Sequence, residues 1–271
     1  QVKLIPAHFV KPYLKSNKTD ASDAEAICEA LSRPTMRFAP VKSVDQQDIQ
    51  SIHRIRQRLV SARTALACEI RGLLHEYGII IPNTVKVLQK SLPEIISDDS
   101  NQLTKFTREL VQELLSELIE LTSRLEKFNK RIALIHANHP ESQRIAKIPG
   151  VGPLAATAII GAISDPSVFK DGRSFAAWLG LVPKEYSSGS VKKMLGISKR
   201  GDTYIRTMLI HGARAYMARC ERWQKADQRY LWANKIREKG HYNKAIVALA
   251  NKNARTIWAL LARGEEYKQV A

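Results

Sequence analysis

Two long stretches in the middle of the chain place apolar residues mostly every three or four positions. The first runs from Ile49 to Leu74, and the second, which is more regular, runs from Leu103 to Ile135. This spacing keeps the apolar side chains on one face of an α-helix. We therefore predict a coiled-coil arm, paired either within one chain or between two chains, with a proline-containing connector at 78–99.

The two ends of the chain show different patterns. Residues 2–6 predict one short strand, and 19–31 predict a helix that ends before Pro34. From Pro140 onward the pattern is helical, with turns at 150–153, 166–172 and 180–201. Because a lone strand needs a sheet to pair with, we expect the chain to begin part-way through an α/β domain.

These patterns predict a mainly α-helical protein in three parts. Residues 1–40 would be the remnant of an α/β domain, 41–139 the coiled-coil arm, and 140–271 a helical domain. With 271 residues and 44% hydrophobic positions, the chain is long enough to bury more than one core.

The charge of the chain narrows its partners. Lysine and arginine number 43 against 26 acidic residues, which gives a formal net charge of +17. Such an excess repels itself unless a polyanion offsets it, so nucleic acid is the expected partner. No apolar run reaches the roughly 18 residues of a membrane span, and we expect no membrane partner. The three cysteines show no zinc-ligand spacing, and we assign no structural metal to them.

A serine loop stands out between two basic turns. Ser188 precedes a glycine, is followed by Lys192 and Lys193, and leads into a second turn that contains Lys199 and Arg200. This arrangement can place a hydroxyl and several cations around a phosphate. The alternative is an ordinary turn before a helix that Asp202 caps.

The segment 148–156 predicts a turn between two helices. Gly150 and Gly152 let backbone amides approach a phosphate at the start of the second helix, and Lys147 is the nearest cation. The segment is similar to the hairpin of helix-hairpin-helix DNA-binding modules. The alternative is a glycine-proline turn that only joins two helices.

Asp20 and Asp23 lie three residues apart at a predicted helix start. This spacing puts both carboxylates on one face, where they can share a divalent cation. The competing interpretation is helix capping, with Asp20 as the N-cap and Asp23 as part of a capping box.

Several blocks, in the same order, resemble the DEDD transposases of bacterial insertion sequences that carry a C-terminal serine and use a bridge RNA. The resemblance covers nearly the whole chain. It includes the helical middle and Arg206, together with these blocks: KTDASDAE at 18–25, IPGVG at 148–152, GLVP at 180–183, SSG at 187–189 and ISKRGD at 197–202.

The resemblance implies roles for particular residues. Asp20 and Asp23 match the last two acidic residues of the DEDD set, which binds Mg²⁺ in a RuvC-like domain, and Ser188 matches the serine nucleophile, with Ser187 as the alternative. The first aspartate and the glutamate of that set have no match here. Residues 1–40 would then be the end of a RuvC-like domain in an N-terminally truncated chain, and we expect the chain alone to give no strand-exchange product.

Further roles follow from the same resemblance. Lys199, Arg200 or Arg206 would stabilise the charge that develops on the phosphate. The implied partners are DNA, a guide RNA and further copies of the chain in a dimer or tetramer, whose copies would share a composite active site. We expect such a protein to act in the bacterial cytoplasm at the nucleoid.

Two other functions fit the same residues. In one, the basic helices and the 148–156 hairpin hold DNA or RNA without catalysis, and the serine only turns the chain. In the other, the coiled coil is a scaffold whose positive charge binds RNA non-specifically. A transposase or recombinase accounts for more of the sequence blocks than either of these.

Overall fold

The computed structural model describes residues 2–15, 19–36, 38–223 and 227–268, and within these ranges the chain is mainly helical. This agrees with the prediction of a mainly α-helical protein. Two separate hydrophobic cores organise it, one in the long helical arm and one in the C-terminal body. None of the described helices is long and apolar enough to cross a bilayer.

The first part of the chain consists of α1 (Ala7–Val10), a short 3-10 helix (Lys11–Tyr13) and α2 (Asp20–Ser32). The strand predicted at 2–6 is only a single antiparallel bridge, in which the Ala39 N–H donates to the Leu4 carbonyl oxygen at 2.7 Å. A segment this short, with one partner residue, cannot extend a ladder.

The cap of α2 also differs from the prediction. Thr19, not Asp20, is the N-cap: its side-chain oxygen accepts from the Ser22 N–H at 3.2 Å. Asp20 is therefore the first residue of the helix, and its carboxylate is not used for capping. Threonine competes well for this position because its hydroxyl reaches the free amides of the first turn.

The arm consists of two long helices, α3 (Val44–Glu76) and α5 (Lys105–Asn138). They are antiparallel and pair within the chain. Arg56 Nε donates to Asn129 Oδ1 at 2.7 Å, while at the other end the hydroxyl groups of Tyr77 and Thr107 lie 2.9 Å apart. The two predicted helices are thus present. Their shared core takes in Leu59, Leu66, Ile70 and Leu74 of α3 and Val111, Leu115, Leu118, Leu121 and Leu125 of α5, whereas Ile55, Phe106 and Leu110 of the predicted series are exposed.

A third helix, α4 (Val85–Ser97), lies in the segment predicted as a connector. Leu88 and Leu92 are fully buried, and Gln89 Nε2 donates to the Leu118 carbonyl oxygen of α5 at 3.1 Å. The sequence predicted a connector here because proline disfavours the interior of a helix, and Pro93 lies inside this one. Packing against α5 outweighs the proline, so the far end of the arm is a three-helix unit.

The C-terminal body contains the remaining helices around one core. They are α6 (Pro140–Ala146), α7 (Pro153–Ala162), α8 (Gly172–Trp178), α9 (Thr203–Trp223), α10 (Gln228–Glu238) and α11 (Tyr242–Arg263), with a 3-10 turn at Pro166–Val168. Seven consecutive residues of α7, from Ala155 to Gly161, are buried, which is the pattern of a central helix with neighbours on all sides. Helices α3, α5, α6 and α9 pack around it.

Two short strands, β1 (Pro183–Glu185) and β2 (Met194–Ile197), interrupt the helices. They pair antiparallel, with Pro183 opposite Ile197 and an irregular register towards Glu185. The sequence predicted only turns here. Strands of three and four residues are too short for a two-residue alternation to be recognised.

The arm is joined to the body at the start of α3. Ser43 and Gln46 form a capping box, and the same Gln46 side chain donates to the carbonyl oxygens of Ile160 (3.1 Å) and Ile163 (2.7 Å) at the end of α7. One residue therefore satisfies both the amino end of α3 and the carboxyl end of α7. This fixes the direction in which the arm leaves the body.

Candidate functional site

Ser188 lies at the exposed tip of the β1–β2 hairpin. Its N–H donates to the Val191 carbonyl oxygen at 3.2 Å, and the Val191 N–H donates to the Ser188 carbonyl oxygen at 3.1 Å. Between them, Gly189 has a φ of 57°. A positive φ at the first central position suits a tight hairpin turn, which explains the glycine after the serine. The turn holds the Ser188 backbone in a defined conformation.

The two neighbouring serines differ in what their hydroxyl groups contact. Ser187 Oγ donates to Glu185 Oε1 at 2.8 Å. Ser188 Oγ makes no hydrogen bond to any residue that the structure describes. The Ser188 hydroxyl can approach a phosphate without first breaking a bond, whereas Ser187 already has a carboxylate that can accept its proton. The choice between them stays a prediction.

Glu185 is a residue that the motif analysis missed. It lies outside the sequence blocks shared with the transposases, but it lies two residues before Ser187 in an extended segment. Side chains two apart in a strand share a face. That signal becomes usable only when the segment is known to be a hairpin rather than an irregular turn.

The base of the hairpin rests on two turns that pack backbone against backbone. One contains Gly180 and the other contains Lys199, Arg200 and Gly201. The Lys199 N–H donates to the Gly180 carbonyl oxygen at 3.1 Å. A Cβ on Gly180 would overlap the Arg200 backbone, and one on Gly201 would overlap the Trp178 carbonyl oxygen. Both glycines are thus required for the contact that supports the hairpin.

Arg206 locks these two turns together. It is buried, with 6% of its surface exposed. Its guanidinium donates to the carbonyl oxygens of Leu179 and Arg200 and to Thr203 Oγ1, each at 3.0 Å. In this conformation the side chain is used inside the protein, so its geometry is that of a residue that positions the turn carrying Lys199 and Arg200.

Four of the predicted phosphate ligands are exposed cations around the hairpin. Lys192 and Lys193 lie in the hairpin itself, and Lys199 and Arg200 lie in the supporting turn. Within the described ranges none of the four takes part in an ion pair. Lys199 also has a φ of 55°, which few residues other than glycine adopt. Lys192 and Lys193 are available to an anion that approaches Ser188, whereas Lys199 and Arg200 lie at the base of the hairpin, roughly 20 Å along the strand from its tip.

The predicted 148–156 hairpin is the connection between α6 and α7. Gly150 has a φ of 87°, and a Cβ there would lie 2.8 Å from the Gly212 carbonyl oxygen of α9. Gly152 faces open space instead. Lys147 Nζ is ion-paired with Glu266 Oε2 at 2.6 Å. One side of the turn is therefore covered by protein, and only the Gly152 side is open.

Asp20 and Asp23 are the first and fourth residues of α2. Asp20 is exposed and Asp23 half-buried, and neither carboxylate forms an ion pair with the described residues. The glutamates further along α2 differ, since Lys15 Nζ lies 2.9 Å from Glu25 and 3.6 Å from Glu29. Among the described residues, therefore, no cation neutralises the two aspartates. Lys18, which begins the KTDASDAE block, falls outside the described residues.

The aspartates and the serine hairpin are not brought together. Helix α2 packs against α1 and the first 3-10 helix. Neither hydrophobic core takes in a described residue before Ile49. Nowhere in the described part of the chain do three or more His, Cys, Asp or Glu side chains gather as a metal site would require. The pieces of the predicted site thus lie on separate elements.

Two family models match the chain, and together they cover most of it. The model of the IS116/IS110/IS902 family of transposases matches residues 142–230, which include the serine hairpin and its supporting turns. A second model, for the DEDD-type transposases of the IS110 group, matches residues 2–79, which include Asp20 and Asp23.

Similar proteins agree with these models. A probable family 20 transposase of Pseudomonas aeruginosa is 46% identical over 98% of this chain and 79% of its own length. The transposase of element IS1111A from Coxiella burnetii is 43% identical over 98% of the chain and 72% of its own length. That of element IS1328 from Yersinia enterocolitica is 35% identical over 99% and 79%. The chain therefore belongs to the IS116/IS110/IS902 family of insertion-sequence transposases.

Proposed function

We propose that this chain cuts and rejoins DNA through the hydroxyl of Ser188. The observation that supports this most is the tip of the β1–β2 hairpin, where Ser188 has an exposed hydroxyl without a hydrogen-bond partner among the described residues. Lys192 and Lys193, which follow Ser188 on the returning side of the hairpin, are exposed beside its tip, while the turn with Lys199 and Arg200 supports its base. A rigid support with cations beside a free nucleophile is what attack on a phosphodiester requires.

The proposed step exchanges one ester bond for another. Ser188 Oγ forms a bond to phosphorus while one bond between phosphorus and a deoxyribose oxygen breaks. The hydroxyl proton passes to solvent or to a base, and the departing deoxyribose oxygen takes up a proton. The reaction keeps the phosphate at the diester level, so a free hydroxyl of the recipient DNA can reverse it without an external energy source.

Membership in a DEDD family implies a divalent metal, and the residues of this chain fit only part of such a site. Mg²⁺ takes about six oxygen ligands in near-octahedral geometry. Asp20 and Asp23 supply two carboxylates, with no third His, Cys, Asp or Glu beside them in the described ranges. We keep the two aspartates as proposed Mg²⁺ ligands, but we derive no step through the metal.

The proposal includes partners beyond DNA. Because α2 and the serine hairpin lie on separate elements, a site that uses both would be assembled between copies of the chain, in a dimer or tetramer. The net charge of +17 is large enough to bind the phosphates of a guide RNA as well as those of DNA. Such a complex would act on DNA in the bacterial cytoplasm, at the nucleoid.

The test is a covalent adduct between protein and DNA. The chain alone, and the chain fused to the part of the Pseudomonas relative that it does not match, are incubated with Mg²⁺ and labelled DNA carrying the ends of an insertion element. We expect the fusion to give a labelled band that survives denaturing electrophoresis. Ser188→Ala should abolish it, because the variant lacks the hydroxyl that we propose forms the ester.

Ser187→Ala is the matched control, since it removes the neighbouring hydroxyl and leaves Ser188 in place. It should retain the adduct, reduced at most about tenfold by the absence of the hydrogen bond to Glu185. An adduct that survives Ser188→Ala but not Ser187→Ala would move the nucleophile by one residue. An adduct that survives both would refute serine catalysis.

A second candidate function is nucleic-acid binding without catalysis. It is favoured by exposed cations that lack acidic partners along the hairpin and its turn. This function predicts tight, salt-dependent binding of DNA or RNA with no adduct under any metal condition. The adduct assay therefore separates the two functions directly.

A further inference from the structure

A wide groove of about 1770 Å³ runs along α11 in the C-terminal body. Its walls come from three places: the base of the β1–β2 hairpin, α10 with Trp232, and one face of α11. No residue of this groove belongs to the family blocks apart from those at the hairpin base. It is thus a surface that the sequence motifs did not point to.

The groove face of α11 carries cations at helical spacing. Lys244, Ala248, Lys252 and Arg255 follow one another at intervals of three or four residues and all line the groove. The opposite face of the same helix is buried in the core of the body. The cations are therefore held in a row by a rigid, packed element rather than by a loop.

These cations are not held in ion pairs by the described residues, although the carboxylate of Asp227 lies close enough to act on Lys252. In the described part of the chain no ion pair includes Lys244, Lys252 or Arg255. Lys252 is half-buried, with Nζ 4.5 Å from the centre of the Trp232 ring. Burial, followed by the positive charges of Arg229 and Arg255, lowers the pKa of the Lys252 ammonium. Crowded like charges in a partly dry groove favour an anionic ligand.

The acidic residues that line the groove are already occupied. Asp171 caps α8 and accepts from the Ser174 N–H at 2.7 Å. Glu266 pairs with Lys147, and Glu265 lies 4.0 Å from Arg263. The middle of the groove therefore presents positive charge on an otherwise largely apolar surface.

One end of the groove is the element that carries Ser188. Pro183, Leu195 and Ile197 of the hairpin line it, and Asn251 Nδ2 of α11 donates to the Leu181 carbonyl oxygen at 3.1 Å. This bond ties the α11 face directly to the base of the hairpin. A strand that follows the groove towards this end reaches the hairpin.

We infer that the α11 groove binds the backbone of the DNA strand that Ser188 attacks. Phosphates would contact Lys244, Lys252 and Arg255, while the deoxyribose rings of the same strand would pack on the apolar surface beside Trp232. The inference rests on the proposed function for its choice of DNA, since the groove reaches the base of the hairpin whose tip carries the proposed nucleophile. The charge and the apolar lining themselves call for a polyanion with apolar faces, which a nucleic-acid strand supplies.

The experiment measures DNA binding by fluorescence anisotropy over a range of salt concentrations. The groove variant replaces Lys244, Lys252 and Arg255 with glutamine in the full chain. The control variant replaces Lys105, Lys127 and Lys130, three exposed arm lysines without ion pairs to the described residues, and so removes the same charge. Circular dichroism and thermal melting of both variants establish that they fold.

The groove variant should bind labelled duplex DNA at least tenfold more weakly than the wild type at moderate salt. Its log-log salt slope should fall by about 0.9 for every phosphate that it no longer neutralises, whereas the control should keep a slope near that of the wild type. Equal reductions in affinity in the two variants would overturn the groove, because net charge alone would then explain binding. Weaker binding of RNA but not of DNA with the same sequence would overturn the choice of DNA.

A separate readout distinguishes this inference from the proposed function. Ser188→Ala keeps every groove residue and should bind DNA as the wild type does. If the groove variant no longer binds DNA and no serine adduct is ever found, the groove inference is supported and the proposal that Ser188 is the nucleophile is refuted. If the adduct forms normally in the groove variant and binding is unchanged, the groove inference fails by itself.

Discussion

At the scale of single residues, the protein relies on a few buried polar side chains that join its elements. His53 of α3 is 4% exposed, and its ring nitrogens lie 3.1 Å from Tyr204 Oη and 3.0 Å from Thr157 Oγ1. The three residues come from α3, α9 and α7. This small network connects the arm to the body that carries the serine hairpin, because each partner lies on a different helix.

The His53 network makes the stability of the protein depend on pH. Burial, with a smaller contribution from the charge of Arg56, lowers the pKa of His53 to about 4 from 6.5. Between pH 4 and pH 6.5, therefore, His53 is protonated in the unfolded chain but neutral in the folded chain. The contribution of neutral His53 to the free energy of unfolding should be fully present above pH 6.5. It should decrease by about 2–3 kcal/mol as the pH falls to 4.

Denaturant unfolding at several pH values checks this. His53→Gln keeps a donor and an acceptor but cannot titrate, so it should be less stable than the wild type at pH 7 and lose less between pH 6.5 and 4. His75→Gln, at an exposed position near the end of the same helix, is the control and should leave the pH dependence unchanged. If the free energy of unfolding changed equally with pH in the wild type and in His53→Gln, His53 would not be the source of the pH dependence.

At the scale of elements, close backbone approaches fix the body. Gly150, in the turn before α7, lies against Gly212 in the middle of α9, and a Cβ on Gly212 would overlap the Gly150 carbonyl oxygen. The same turn is held from the other side, where Asn253 Nδ2 of α11 donates to the Pro149 carbonyl oxygen at 3.2 Å. The α6–α7 turn is thus clamped between two helices, which limits how it can present its amides.

Gly212→Ala tests this contact. Alanine favours a helix by up to about 1 kcal/mol over glycine, but here its methyl group must push α9 away from the turn. We expect a net decrease of about 2 kcal/mol in the free energy of unfolding. The matched control is Gly72→Ala in α3, where a Cβ meets nothing within 4 Å and alanine should stabilise the protein. Opposite signs in denaturant melts are the expected outcome, and stabilisation by both would refute the close packing.

At the scale of the whole molecule, the arm and the body are built around separate cores, and the described residues before Ile49 join neither. The proposed metal ligands lie in that first part, and the proposed nucleophile lies in the body. The two family models match these parts separately: one covers 2–79, which also takes in α3 of the arm, and the other covers 142–230 in the body. This separation is the basis for our proposal that the active site is shared between copies of the chain.

Mixing of inactive variants tests this arrangement. In the fused chain described above, Ser188→Ala and Asp20→Asn should each abolish the adduct. If the site is shared between copies, an equal mixture of the two should recover roughly a quarter to a half of the activity, because some sites then combine an intact serine with an intact aspartate. A mixture as inactive as its components would show that each site is built from one chain.

Much of the architecture could be read from the sequence because it depends on local pattern. The two arm helices follow from apolar spacing, and the Asp202 cap of α9 is present, with the Ile205 N–H 3.0 Å from its carboxylate. The α4 helix and the β1–β2 hairpin could not be predicted, since packing against α5 overrides Pro93 and the strands are too short to show a pattern. The apolar spacing of the arm helices was easy to recognise because it repeats over many turns.

The helical class, the two arm helices, the positive charge and the order of the family blocks around Asp20, Asp23 and Ser188 all follow from the chain's own pattern of residues. Folding brings GLVP, ISKRGD and Arg206 together as one support beneath the serine hairpin, in which the Arg206 guanidinium donates to carbonyl oxygens. It also places the cations of α11 in one groove with the hairpin base. The reason is physical: helix periodicity is written in neighbouring residues, whereas contacts between turns depend on backbone approaches between residues far apart in the chain.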